Sequence, residues 1–204
     1  MAADFVTAGA APERDSSAPL LLLLHGYGAD EHDLLPVGER LGFAALGVRA
    51  PIAMPWGGHA WAELGPEQPD LPAAAPYRAV AAELLDWLGT EVGDTRPVIP
   101  FGFSQGGLMV SELLRAAPGR FPTAVICSGF IAGDPGEHDD ALRDTPVFYG
   151  WGTTDGRIPP SWVAATSAWL AAHVALTERS YPGLGHGISP VEISDISAFL
   201  DPLR

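Results

Sequence analysis

The sequence has no lysine, no asparagine and a single cysteine. Without lysine, 11 arginines face 25 acidic residues, for a formal net charge of −14. A surface of that sign repels phosphate backbones and anionic lipid heads, which argues against nucleic-acid and membrane partners. The acidity reads as a device for solubility. One cysteine, Cys127 in TAVICSG, excludes a disulfide framework within the chain. It lies in an apolar run and on no sharp turn, so it reads as a buried strand residue and not as a nucleophile. Long apolar runs are missing too. The longest aliphatic run, LLLLL at 20–24, is far too short to span a bilayer. The N-terminal MAADFVTAGAAPERDSS has neither a basic segment nor a long apolar one, so no signal peptide is expected. The expectation is a soluble, cytoplasmic protein without a stable membrane anchor. The richness in Ala, Gly, Pro and Arg reflects GC-rich coding more than function.

What is present is an apolar share of 47% and a charged share of 18%, both ordinary for globular proteins. A length of 204 residues suits one domain, 1–204. Short apolar runs at 19–26, 46–51, 96–103, 123–129, 145–152 and 177–183 predict strands. Amphipathic stretches at 77–92, 106–118, 161–174 and 189–203 predict helices between and after them. Continuous apolar strands alternating with helices predict an α/β fold with a mostly parallel sheet covered on both faces. Residues 5–7 are a further candidate for an edge strand. Two irregular segments, 51–76 and 130–145, each follow a strand end. Ligands of parallel α/β sheets bind beyond the carboxyl ends of the strands, so both segments are candidate pocket walls.

The chemistry gathers at Gly102-Phe103-Ser104-Gln105-Gly106, a G-x-S-x-G pattern that leaves a predicted strand and opens a predicted helix. A serine on such a turn is displayed outward, and the helix behind it directs its N–H groups toward developing negative charge. Serine needs a base at neutral pH. Of six histidines, His186 in the glycine-flanked loop YPGLGHGIS, after the last predicted strand, is the candidate. His25 ends the first strong strand, and His59 lies in the long loop where it could touch a substrate. His138 and His173 read as solvated or packed. His32 follows Asp30-Glu31, a conceivable cation cluster, but no second ligand set accompanies it, and no metal is expected. The acid that orients the base is Asp155 in GWGTTDGRIP, with Asp134 as competitor. Ser104, Asp155, His186 is then the chain order of a known serine-hydrolase arrangement. The two amide donors of an oxyanion hole are expected at Gln105, after the nucleophile, and at Tyr27 in His25-Gly26-Tyr27-Gly28.

These motifs resemble the serine carboxylesterase/phospholipase family of α/β-hydrolases that includes the acyl-protein thioesterases. LHGYGADEHDLLP (24–36) is similar to the family's oxyanion strand and loop. APIAMPWGGHAWAE (50–63) is similar to its pocket segment, GFSQGG to its elbow, GWGTTDGRIP to its acid loop and GLGHGIS to its histidine loop. The family commonly carries histidine where Trp151 stands, which leaves the pocket shape open. The resemblance implies an α/β-hydrolase fold with little or no lid, a Ser104–Asp155–His186 triad, Tyr27 and Gln105 as oxyanion donors, and no cofactor. It also implies a small-molecule ester or thioester substrate, and it admits a homodimer. Trp61, Phe130, Ile158 and Leu184, near strand ends, are candidates for an apolar acyl site. A catalytically silent receptor on the same scaffold and a cofactor-free haloperoxidase are the alternatives.

Overall fold

The structure, a computed structural model, describes residues 5–11, 14, 16–64, 70–133, 136 and 138–204. Inside its sheet lies β2 (Leu20–Leu24), five leucines buried without exception. A run with no polar member has no solvent face, and β2 accordingly lies inside the sheet with both faces covered. On one side it pairs in parallel with β3 (Ala44–Val48), on the other with β6 (Val98–Phe103). β7 (Ala124–Cys127), β8 (Pro146–Gly152) and β9 (Ala175–Tyr181) extend the sheet beyond β6, all in parallel. The opposite edge is β1 (Thr7–Gly9), antiparallel to β3, so the expected edge strand at 5–7 forms two residues later. The order is β1-β3-β2-β6-β7-β8-β9.

Alternation along the strands divides the core in two. Leu20, Leu22 and Leu24 with Val98, Ala124, Ile126, Val147 and Tyr149 face α2 (Ala75–Glu91), α3 (Gln105–Ala116) and α4 (Pro160–His173). Leu21 and Leu23 with Ile99, Phe101, Val125, Cys127 and Phe148 face α1 (Leu35–Leu41) and α5 (Pro190–Leu200). The result is the expected three-layer sandwich. Cys127 is buried, and burial pushes its thiol well above the ordinary value, which suits a packing residue.

Three features depart from the sequence reading. α1 forms within LPVGERL, a seven-residue stretch whose proline and glycine mask its periodicity; Pro36 sits in the first turn, and Gly42 caps the end in the left-handed region at φ 72°. Inside 51–76, β4 (Ile52–Ala53) and β5 (His59–Ala60) form a small antiparallel hairpin. In the second irregular segment, the acidic stretch carries a 3-10 turn at Asp139–Leu142. It is pinned by an ionic chain that is buried at Glu112 and Arg115 and reaches the surface at Arg78. Arg78 Nε donates to Glu112 Oε2 (3.2 Å), and Arg115 donates from Nη1 to Glu112 Oε1 (2.6 Å) and from Nε to Asp139 Oδ1 (3.1 Å). The Trp169 indole donates to Asp139 Oδ2 (3.0 Å), and its ring lies beneath the Arg115 guanidinium.

Candidate active site

β6 ends at the elbow. Ser104 follows it with φ 55° and ψ −119°, a strained backbone for a residue with a Cβ, and α3 begins at the next residue. The Ser104 N–H donates to Cys127 O (3.0 Å), which ties the turn to β7. The flanking glycines are steric requirements. A Cβ at Gly102 would stand 2.2 Å from Gly106 O, and one at Gly106 would stand 1.8 Å from Leu24 O. The spacing of G-x-S-x-G is thus set by how closely the turn passes its own helix and the end of β2.

Asp155 lies past the end of β8. Its Oδ1 accepts N–H bonds from Arg157 (2.8 Å) and Ile158 (3.2 Å), which fixes the carboxylate. Its Oδ2 receives His186 Nδ1 at 2.7 Å. The acid and histidine loops are also braced main chain to main chain: Thr153 N–H donates to Tyr181 O (3.0 Å) and Thr154 N–H to Leu184 O (3.0 Å). The His186 ring packs against Phe103, centroids 4.8 Å apart. Ser104 and His186 face one open cavity of about 1190 Å³. Asp134, the competing acid, lies outside the described residues.

Tyr27 and Gln105 border the same cavity beside Ser104. Gln105 is the first residue of α3, where N–H groups have no partner within the helix. Among the described residues neither the Tyr27 nor the Gln105 main-chain N–H has an acceptor. The hairpin braces the Tyr27 loop from outside, since Gly28 N–H donates to His59 O and His59 N–H to Ala29 O, each at 2.8 Å.

The four candidates for the acyl wall divide. Phe130 and Ile158 line the cavity, with Trp162, Leu64, Pro72 and Pro76 completing an apolar wall. Trp61 does not; it is fully buried, and its ring meets His25. Leu184 does not either; it is half-buried, and its contribution is the carbonyl that braces the acid loop. Sequence places these residues near strand ends but not on which side of the backbone their side chains fall. His59 holds the Tyr27 loop through its main chain and is not on the cavity wall. Trp151 also stays off it, donating from its indole to Glu178 Oε1 (2.9 Å). In the Asp30-Glu31-His32 group the ligand atoms lie within 4.8 Å of one another, but Glu31 is committed to Arg49 (Nε to Oε2, 2.7 Å). That partner holds the Glu31 carboxyl down at about 2.

The histidine loop ends at the start of the helix expected at 189–203, where the side-chain cap is a feature that the sequence reading does not include. Ser189 Oγ accepts the Glu192 N–H (3.1 Å) and Glu192 Oε2 accepts the Ser189 N–H (3.4 Å), a reciprocal cap on α5. The Glu192 side chain is fully buried, and its Oε1 has no hydrogen-bond partner among the described residues. Burial pushes its carboxyl from 4.5 up to about 7. The folded chain therefore holds this proton more tightly than the unfolded chain. The group's contribution to stability is complete below pH 4.5 and is lost as pH rises toward 7, by about 3 kcal/mol in all. Glu192→Gln is expected to raise the urea midpoint at pH 8, worth about 2–3 kcal/mol, with a much smaller gain at pH 5. Equal effects at the two pH values would show that Glu192 does not titrate there.

An elbow serine between β6 and α3, a histidine held by an acid past β8 and this strand order define an α/β-hydrolase scaffold. The sequence profile of the phospholipase/carboxylesterase family matches residues 49–203, and the chain belongs to that family. It is 28% identical over 110 residues to acyl-protein thioesterase 1 of Kluyveromyces lactis, a match covering 50% of this chain and 48% of the relative, so the chain aligns with about half the length of that curated protein. In fold it is similar to the Bacillus cereus carboxylesterase, with TM-score 0.79, 23% identity and coverage of 98% of this chain and 94% of that one. It is also similar to a carboxylesterase from Mesorhizobium loti, with TM-score 0.77, 23% identity and coverage of 92% and 90%. Among the described residues no helix is long and apolar enough to cross a membrane.

Proposed function

We propose that the protein is a serine hydrolase of carboxylic esters, thioesters included, working through Ser104, His186 and Asp155. The observation that carries this reading is the 2.7 Å contact from His186 Nδ1 to Asp155 Oδ2, made by a histidine that shares the Ser104 cavity. With Nδ1–H donated to the carboxylate, Nε2 carries the lone pair and serves as base.

His186 Nε2 takes the Oγ proton as Ser104 attacks the acyl carbon. The carbonyl π electrons move to oxygen, and the oxyanion accepts from the Tyr27 and Gln105 amides. As the tetrahedral species collapses, the bond to the alkoxide or thiolate breaks and the leaving group takes the proton from His186. Water then gives its proton to His186 and attacks the acyl-enzyme. Collapse releases the carboxylic acid and returns the proton to Ser104. The wall of Phe130, Ile158 and Trp162 suits an apolar acyl chain, and a cavity of about 1190 Å³ leaves room for one longer than acetyl.

Hydrolysis of p-nitrophenyl esters from acetate to palmitate tests the reading. The expectation is turnover with an optimum beyond acetate. No release from any ester, and none from acyl thioesters assayed in the same way, would refute it.

A further inference from the structure

Trp61 neither touches the cavity nor behaves as an inert core residue. It is fully buried and makes two directed hydrogen bonds, one to the segment that follows β2 and one to the first residue of α3. Its main-chain N–H donates to the side-chain Oε1 of Gln105 (2.9 Å). Its indole N–H donates to the main-chain oxygen of His25 (2.8 Å). Its ring also packs on the His25 imidazole, centroids 5.4 Å apart.

Each of those partners leads directly to one of the two candidate oxyanion amides. The His25 ring accepts the Ala50 N–H at Nε2 (3.1 Å), which leaves Nδ1–H to donate to Gly26 O (2.8 Å). The peptide joining Gly26 to Tyr27 is trans, so its carbonyl and its N–H point in opposite directions. Anchoring Gly26 O therefore aims the Tyr27 N–H. On the other side, the fully buried Gln105 amide is held at three points, by Trp61 N–H, by Ala62 O (2.8 Å) and by Tyr77 Oη (3.2 Å), and its own main-chain N–H is the second donor.

We infer that Trp61 is a positioning residue that sets the separation of the Tyr27 and Gln105 amides. This rests on the hydrolase reading above. Oxyanion donors act only where the charge develops, and displacement by about 1 Å can cost 100-fold in rate. A bracket touching both the Tyr27 loop and the start of α3 resists that displacement without contacting the substrate.

The test is Trp61→Phe, which keeps an aromatic filler and removes the indole donor, assayed on the best p-nitrophenyl ester beside wild type and Ser104→Ala. The expected result is kcat lower by about 10- to 100-fold with KM within about threefold. Affinity for an alkyl trifluoromethyl ketone, whose hemiketal oxyanion fills the same donors, should weaken by a similar factor. Gln105→Met, which cuts the other arm, should act in the same direction, and the double variant should lose less than the product of the two. Undiminished kcat and ketone affinity in a folded Trp61→Phe would overturn the inference, as would an effect confined to KM, the mark of a substrate wall. If Trp61→Phe does not fold, the same two outcomes are read from Gln105→Met. A wild type inactive on every ester removes the hydrolase reading itself, whereas an active wild type with undiminished variants removes only the bracket.

Discussion

Replacing Ser104 by alanine is expected to lower kcat by about 10⁵- to 10⁶-fold with little change in KM. The size follows from what the hydroxyl does. In the proposed mechanism it supplies the bond-forming oxygen and the proton that His186 carries to the leaving group, so His186 and Asp155 would have nothing to act on without it. The fold should survive, because the strain at φ 55° belongs to any residue with a Cβ and the N–H bond to Cys127 O is made by the main chain. The thermal midpoint should therefore stay close to wild type. The check is steady-state hydrolysis on protein scrubbed of contaminating esterase. A variant within tenfold of wild type would mean that another group is the nucleophile.

Asp155→Asn is expected to cost about 10⁴-fold in kcat. The carboxylate has two separable tasks. Oδ1 holds the loop by accepting from Arg157 and Ile158 N–H, and an asparagine oxygen can do the same. Oδ2 faces His186 Nδ1 at 2.7 Å, and there an amide NH₂ is the wrong partner. A donor at that point draws the Nδ1 lone pair, moves the ring proton to Nε2 and removes the base from the side that faces Ser104. It also leaves the imidazolium without its counter-charge. The predicted signature is lost kcat with unchanged far-UV dichroism and thermal midpoint. Activity within tenfold of wild type would show that Asp155 is not the orienting acid.

The parts of the candidate site that are legible in the sequence share one physical cause. Ser104, Asp155 and His186 each follow a strand end, and the turns that carry them require small residues at fixed offsets, so the turns mark themselves in the sequence. Gly102 and Gly106 are the clearest instance, because their missing Cβ atoms are what let the elbow pass Leu24 and its own helix. The strands were legible because a sheet covered on both faces needs uninterrupted apolar runs, as in 20–24.

What was not legible depends on side-chain direction or on pairing across the chain. Trp61 and Leu184 sit near strand ends with apolar side chains, yet one is buried and hydrogen-bonded to His25 and Gln105 and the other works through its carbonyl. Glu112, Arg115 and Asp139 look like solvated helix and loop charges. Only when α2, α3 and α4 come together with the acidic stretch do they become a buried chain, held by mutual hydrogen bonds that offset part of the desolvation. His25 looked like the end of a strand, and its role in holding Gly26 O depends on Ala50, 25 residues away. α1 was hidden because a short helix with Pro36 and Gly38 gains its stability from packing and not from propensity.

The most direct test is labelling with a fluorophosphonate followed by peptide mapping. Such a reagent phosphonylates a serine activated by a neighbouring base. The account predicts one adduct per chain, on Ser104, with ester turnover lost in proportion to labelling and no adduct in Ser104→Ala. An active protein that stays unlabelled, or one labelled at another residue as activity falls, would contradict it.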